Sequence, residues 1–293
     1  MSQTPSTHRA DDLPRAFVVG CQKSGTTWMQ ALLQAHPEVC SRGEASFGAL
    51  LVGPMFELFN TYNANQRAGE TNRFTGDDAI AITRQAINHL QRHWLDAMPR
   101  PERAKIISDK TPEHAVALDA LGTIYPEMKV IHIIRDGRDG VVSGWYHNLR
   151  EREAEFRARF GSRDRYTRYF VEQHWVPFIT RARQWGQERP QQYLELQYER
   201  VLESPHEHAR TIFEFLGVDT SDTIIDRVVE RSSFKSLSGG RDRGQADNAS
   251  HFRSGTSGGW RDELDQASIE AFEELGGPLL DELGYPRASA LSV

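Results

Sequence analysis

The segment that most constrains this chain is an apolar run ending in a loop of small and hydroxylated residues, then restarting as a helix: Phe17-Val18-Val19-Gly20-Cys21-Gln22-Lys23-Ser24-Gly25-Thr26-Thr27-Trp28. A strand–loop–helix unit of this composition points successive backbone N–H groups and a helix N-terminus into one small space. That geometry binds phosphate or sulfate esters. The nucleotide-binding version reads G-x-x-x-x-G-K-[ST], with lysine directly after the second glycine. Gly20 and Gly25 keep that spacing, yet Thr26 follows Gly25 and the lysine stands earlier, at Lys23. The loop is built for a phosphate-like group, with its cation moved toward the loop's start.

Strand-like runs at 17–20, 105–108, 129–134 and 192–197 alternate with helical patterns at 26–35, 78–97, 113–124, 137–149 and 165–187. Such alternation predicts an α/β fold: one domain, residues 16–286, with a central parallel sheet flanked by helices, like a P-loop NTPase. A chain of 293 residues can bury a core of that size. Residues 1–15 read as a frayed N-terminus and 287–293 as a tail. A closing amphipathic helix, 265–283, is expected to be interrupted at Gly276-Gly277-Pro278. Residues 45–77 carry Phe47, Leu50, Leu51, Met55, Phe56, Leu58, Phe59 and Tyr62, which read either as a core-facing helix or as an apolar wall for an acceptor. Residues 234–260, rich in Gly, Ser, Arg and Asp, read as a lid loop.

Net charge is −6, which argues against a nucleic-acid partner while leaving room for a local basic pocket from Lys23, Arg135, Arg138 and Arg253. No stretch is apolar enough for an integral membrane segment. Two cysteines are too few for a disulfide framework, so a reducing, cytoplasmic setting is expected. The histidines are scattered and no Cys/His cluster has ligand spacing, so no metal is expected.

Three further segments follow the loop in order: Val130-Ile131-His132-Ile133-Ile134-Arg135, with Ser143 eight positions later; Tyr198-Glu199; and Phe252-Arg253-Ser254-Gly255-Thr256-Ser257-Gly258-Gly259-Trp260-Arg261. Together with Lys23–Trp28 they resemble the signatures of sulfotransferases that use 3'-phosphoadenosine 5'-phosphosulfate (PAPS). The resemblance spans Phe17 to Arg261. It implies that Ser24, Gly25, Thr26 and Thr27 hold the 5'-phosphate, and that Arg135 and Ser143 hold the 3'-phosphate. Arg253 and the Gly255 N–H would close over that same phosphate. Trp28 and Tyr198 would lie near the adenine, and Phe234 and Ser254 would complete the nucleotide contacts. Ser254 departs from the family, which has lysine there. Lys23 would stabilise the bridging oxygen as the S–O bond breaks, without a metal. Arg138 and Arg261 read equally well as surface charges.

The segment Ser108-Asp109-Lys110-Thr111-Pro112 has proline where the steroid and phenol sulfotransferases have the histidine of K-T-H. It resembles instead the D/E-K-[ST/D]-P motif of glycan- and tyrosine-directed members, which place a glutamate after an H-P-x-[VI] segment. His36-Pro37-Glu38-Val39 leads here to Glu44. Glu44 is therefore the expected general base and Lys110 its neighbour at the transferring group. His114 is the rival base. The acceptor would be a hydroxyl, less readily an amine, of a small molecule, lipid or glycan. The competing reading, a P-loop small-molecule kinase or NTPase, lacks both Gly-Lys-[Ser/Thr] and a strand-end aspartate for Mg²⁺.

Overall fold

A computed structural model describes residues 9–67, 71–250 and 252–291. Five strands form one sheet in the order β2-β3-β1-β4-β5: β1 (Arg15–Val19), β2 (Val39–Gly43), β3 (Ile106–Lys110), β4 (Lys129–Ile134) and β5 (Tyr193–Gln197). Every pairing is parallel. The chain builds β2 and β3 on one side of β1 and then crosses to β4 and β5. The order therefore reverses at β1, and a crevice opens at its carboxyl end.

Alternation along the strands divides the core into two layers. Phe17, Val19, Val130 and Ile134 face one side, with Trp175, Trp260 and Phe272. Ala16, Val18, Ile131 and Ile133 face the other, with Met29, Leu33, Ile212 and Phe213. Both faces of β1 and β3 are covered, as parallel sheets require. The helices that shape the site are α1 (Thr26–Gln34), α2 (Gly53–Ala64), α3 (Gly76–Asp96), α4 (Gly137–Phe160), α5 (Arg163–Phe170), α6 (Val176–Glu188) and α7 (Gln266–Glu282).

The α/β architecture is as expected, with several differences. β2 was not anticipated: Ser41, Arg42 and Gly43 make it too polar to read as a strand, and it lies at the sheet edge beside β3. The helix expected over 113–124 divides into a 3₁₀ segment, Pro112–Val116, and a helix, Leu118–Ile124. The helix expected over 165–187 contains a π-turn, Val171–Trp175, just ahead of Pro177. Proline lacks an N–H and its ring crowds the carbonyl four residues back, which a wider turn relieves. α4 runs past Leu149 to Phe160, kinked at Arg152. α7 is continuous through Pro278, and Gly276 lets Phe272 and Trp175 pack close to its backbone.

The termini are also more ordered than expected. Residues 1–8 lie outside the described residues, but Arg9–Asp12 form a helical turn. Buried Arg15 donates to Gln91 Oε1 (2.6 Å) and Asn88 Oδ1 (2.7 Å) on α3, tying the chain down before residue 16. In the expected tail, Arg287 pairs with Asp281 at 2.6 Å and the Ala288 N–H donates to Glu273. Residues 292–293 lie outside the described residues.

Candidate active site

The carboxyl ends of all five strands open on one cavity of about 770 Å³, a volume within the range for ligand sites. The phosphate loop forms its floor. Lys23 has φ 69° and Gly25 φ 96°, left-handed turns that close the loop ahead of the α1 N-terminus. A Cβ on Gly25 would lie 2.5 Å from the Tyr198 ring, so only glycine admits both the conformation and that contact. The Lys23 ammonium pKa is lowered to about 8, chiefly by burial and then by Arg150.

Arg135 leaves β4 at the cavity's edge. It donates to Lys23 O (3.2 Å) and Thr256 O (2.9 Å), and its guanidinium lies 4.6 Å from the Tyr198 ring centroid. Its Nε is buried without a hydrogen-bond partner among the described residues. A buried guanidinium with an unused donor, on the same cavity as the α1 N-terminus, suits a phosphorylated nucleotide. Asp139 ties the late loop to this place by accepting from the Gly258 (2.7 Å) and Trp260 (3.0 Å) N–H groups. Trp28 donates to Ser232 O (2.8 Å) and meets Tyr198 edge to face. Phe234, packed against Gly255, completes an aromatic slot.

Of the expected nucleotide residues, Lys23, Gly25, Thr26, Thr27, Trp28, Arg135, Ser143, Tyr198, Phe234, Arg253, Ser254 and Gly255 all line the cavity. Ser24 is the exception: it is buried beneath the loop, does not line the cavity, and its backbone N–H donates to Cys21 O at 3.2 Å. Arg253 also pairs with Glu263 at 2.7 Å. Arg138 does not belong to the basic pocket. It is fully buried on the far side of α4, in a bidentate pair with Asp136, a third bond to Glu273 and a stack on Trp260. Arg243 and Leu202 line the nucleotide end as well; lone residues in a loop and a short helix, they gave no sequence signal.

Glu44 and Lys110 meet at the cavity mouth, because Gly43 on β2 pairs with Lys110 on β3. A Cβ on Gly43 would fall 2.4 Å from Lys110 O, so that approach needs glycine. Lys110 is buried, donates to Thr27 Oγ1 at 3.4 Å and forms an ion pair with Glu44, which remains 54% exposed. His114 does not reach the cavity. It is buried between Phe17 and Phe47, and burial holds its pKa down to about 3.

The other wall differs from expectation. None of residues 45–67 or 71–77 lines the cavity; 68–70 lie outside the described residues. Phe47 and Val52 pack into the core, while Leu50 (72%) and Leu58 (59%) face outward. The cavity is walled instead by Phe156, Phe160, Tyr166, Tyr169, Phe170 and His174, from α4, α5 and the π-turn, with the charged Glu113, Arg152, Glu155 and Arg159 among them. The kink at Arg152 interrupts α4 just ahead of Phe156 and Phe160. Gln22 donates to Glu113 Oε1 (2.7 Å) below this wall. The sequence signal was an aromatic cluster in an otherwise Arg/Glu-rich stretch.

The pattern of the sulfotransferase family matches residues 14–222. The chain belongs to the sulfotransferase family. Its chemistry is sulfuryl transfer, and a kinase reading loses its ground. This sulfotransferase is 26% identical over 277 residues to a putative protein-tyrosine sulfotransferase of Caenorhabditis briggsae, covering 94% of the chain and 90% of that protein. It is 24% identical over 233 residues to an uncharacterized Aquifex aeolicus protein, covering 75% of the chain but spanning only 28% of that relative. In fold it resembles mouse sulfotransferase SULT7A1, solved with PAP, at a TM-score of 0.57 and 17% identity over 97% of the chain and 93% of that structure. The family match ends before Phe234 and the late loop. Among the described residues no cluster of three or more His, Cys, Asp or Glu has metal-site geometry, and no helix is long and apolar enough to cross a membrane.

Proposed function

We propose that this sulfotransferase moves the sulfuryl group of PAPS to a hydroxyl on a flat, apolar acceptor, with Glu44 as general base. The observation that carries the reading is the meeting of Glu44, Lys110, Thr27 and the Lys23 loop at one mouth of the cavity. Arg135, Ser143 and Arg253 would hold the 3'-phosphate, and Trp28, Tyr198 and Phe234 the adenine. The N–H groups of residues 25–27, at the α1 N-terminus, would hold the 5'-phosphate. PAPS supplies the activated sulfuryl group.

The acceptor oxygen attacks sulfur from the side opposite the bridging oxygen while its proton passes to the Glu44 carboxylate. The bond from sulfur to the bridging oxygen breaks, and its electron pair leaves with the 5'-phosphate. Lys23 donates to that growing charge, the kind of fixed electrostatic stabilisation that most lowers a barrier. Lys110 holds the Glu44 carboxylate in place. The Phe156–His174 wall favours an aromatic or otherwise flat apolar body behind the hydroxyl. The tyrosine named for the C. briggsae relative falls in that class. A cytoplasmic setting belongs to the same proposal, supported by the buried free thiols Cys21 and Cys40.

Glu44→Gln tests the reading. It is expected to cut turnover by about 10²–10⁴-fold while leaving calorimetric binding of the product nucleotide 3'-phosphoadenosine 5'-phosphate intact. Full activity would remove Glu44 as base.

A further inference from the structure

Glu44 poses a positioning problem. It follows an edge strand and more than half of its side chain is exposed. The ion pair to buried Lys110 holds only the carboxylate end of this exposed side chain and leaves the backbone that carries it unfixed. Yet the backbone immediately after it is pinned at three successive points. The Ala45 N–H donates to Asp109 Oδ1 (3.4 Å), the Ser46 N–H to Thr111 Oγ1 (3.3 Å), and the Gly48 N–H to His114 Nε2 (3.2 Å). The three acceptors all come from 109–114, the segment that carries Lys110.

The acceptors are themselves cross-linked. Thr111 Oγ1 donates to Asp109 Oδ2 at 3.0 Å. Because His114 Nε2 accepts from Gly48, its proton sits on Nδ1, which lies 3.3 Å from Asp109 Oδ2 though off the line of a good hydrogen bond. Asp109, Thr111 and His114 are all buried. Burial keeps the imidazole neutral and raises the Asp109 carboxyl to about 7. A neutral imidazole is what a backbone N–H requires of its acceptor. Buried polar groups joined in this way fix one geometry and penalise others.

We infer that Asp109, Thr111 and His114 form a clamp on the 45–48 backbone that positions Glu44, so that His114 is a positioning residue acting through Glu44. The inference rests on the reading of Glu44 as base. It also explains why a histidine stands beside the lysine motif without reaching the cavity.

The test compares His114→Phe, which keeps the ring and loses the acceptor, with His114→Gln, whose Oε1 can replace Nε2 toward Gly48. The clamp predicts that His114→Phe lowers kcat about 100-fold, a large part of what a positioned base supplies, with product-nucleotide affinity changed less than about twofold. Amide exchange at Ser46 and Gly48 should quicken in the same variant. His114→Gln should restore kcat to within about fivefold, because the acceptor is restored. Adding His114→Phe to Glu44→Gln should cost nothing more, since residues acting through one group are not additive.

Three results overturn the clamp. Loss of kcat in both His114 variants, with further loss on top of Glu44→Gln, makes the imidazole a chemical participant. Unchanged kcat in His114→Phe, with only a lower Tm and Glu44→Gln inactive, leaves the base standing and reduces His114 to packing. Full activity of Glu44→Gln removes the base and the positioning claim with it, whatever the amides do. If the His114 substitutions do not fold, Thr111→Val, which removes the Ser46 acceptor and the cross-link to Asp109 while keeping the shape of the side chain, carries the same kcat and exchange test.

Discussion

The two halves of the cavity are built on different principles. The half proposed for the nucleotide is built around a backbone loop of fixed conformation, with arginines and aromatic side chains at its edge. The Lys23–Thr27 loop, glycine at 25 and the arginines leave little freedom in residue type. The half proposed for the acceptor is made of side chains: Phe156, Phe160, Tyr166, Tyr169 and Phe170, on α4 beyond its kink at Arg152 and on α5 ahead of the turn at 171–175. Backbone geometry recognises a constant group, and a side-chain wall can be repacked for a different partner without disturbing it.

Substitutions can break or sharpen that contrast. The largest effect is expected where the halves meet. Lys23→Met should lower kcat by about 10²–10³-fold, read in single turnovers with PAPS saturating. Arg135→Ala should weaken the product nucleotide by about 10–100-fold, the worth of one or two charge-assisted bonds, with acceptor KM unmoved. On the other side, Tyr169→Ala should raise acceptor KM by about tenfold, the scale of one aromatic contact, and leave nucleotide affinity alone. Leu58→Ser on α2 should change neither by more than about twofold, as expected of an exposed position away from the site.

The pH dependence belongs to the nucleotide half alone. The Lys23 pKa is lowered to about 8, so its charge is present below that value and lost as pH rises through it. Product-nucleotide affinity should therefore decline above about pH 8 by up to one decade per pH unit through this group. Lys23→Arg, charged throughout, should flatten that limb in calorimetric titrations from pH 6 to 9.

What could be read in the sequence follows the same division. The phosphate loop, Arg135, Ser143 and the late Arg253–Gly255 segment were legible because their chemistry demands particular residues at particular spacings. Glu44 and Lys110 were singled out by the family resemblance, and the structure pairs them, although β2, which brings them together, was hidden by Ser41, Arg42 and Gly43 in an edge strand. The acceptor wall was not legible. Residues 45–62 and 156–170 are both aromatic-rich, and periodicity alone cannot say which set faces a cavity. A kink and a π-turn decide that, and both are tertiary events. His114 stood only as the rival base, and what sets it apart is burial between Phe17 and Phe47, which periodicity does not give.

The central claim, a donor site for a nucleotide phosphorylated at both ends, is tested most directly by calorimetric titration of 3'-phosphoadenosine 5'-phosphate against ATP and 5'-AMP, without Mg²⁺, in the wild type and Arg135→Ala. Binding that favours the bisphosphate nucleotide and loses that preference in Arg135→Ala is the predicted result. Preference for ATP, or indifference to the 3'-phosphate, would contradict it.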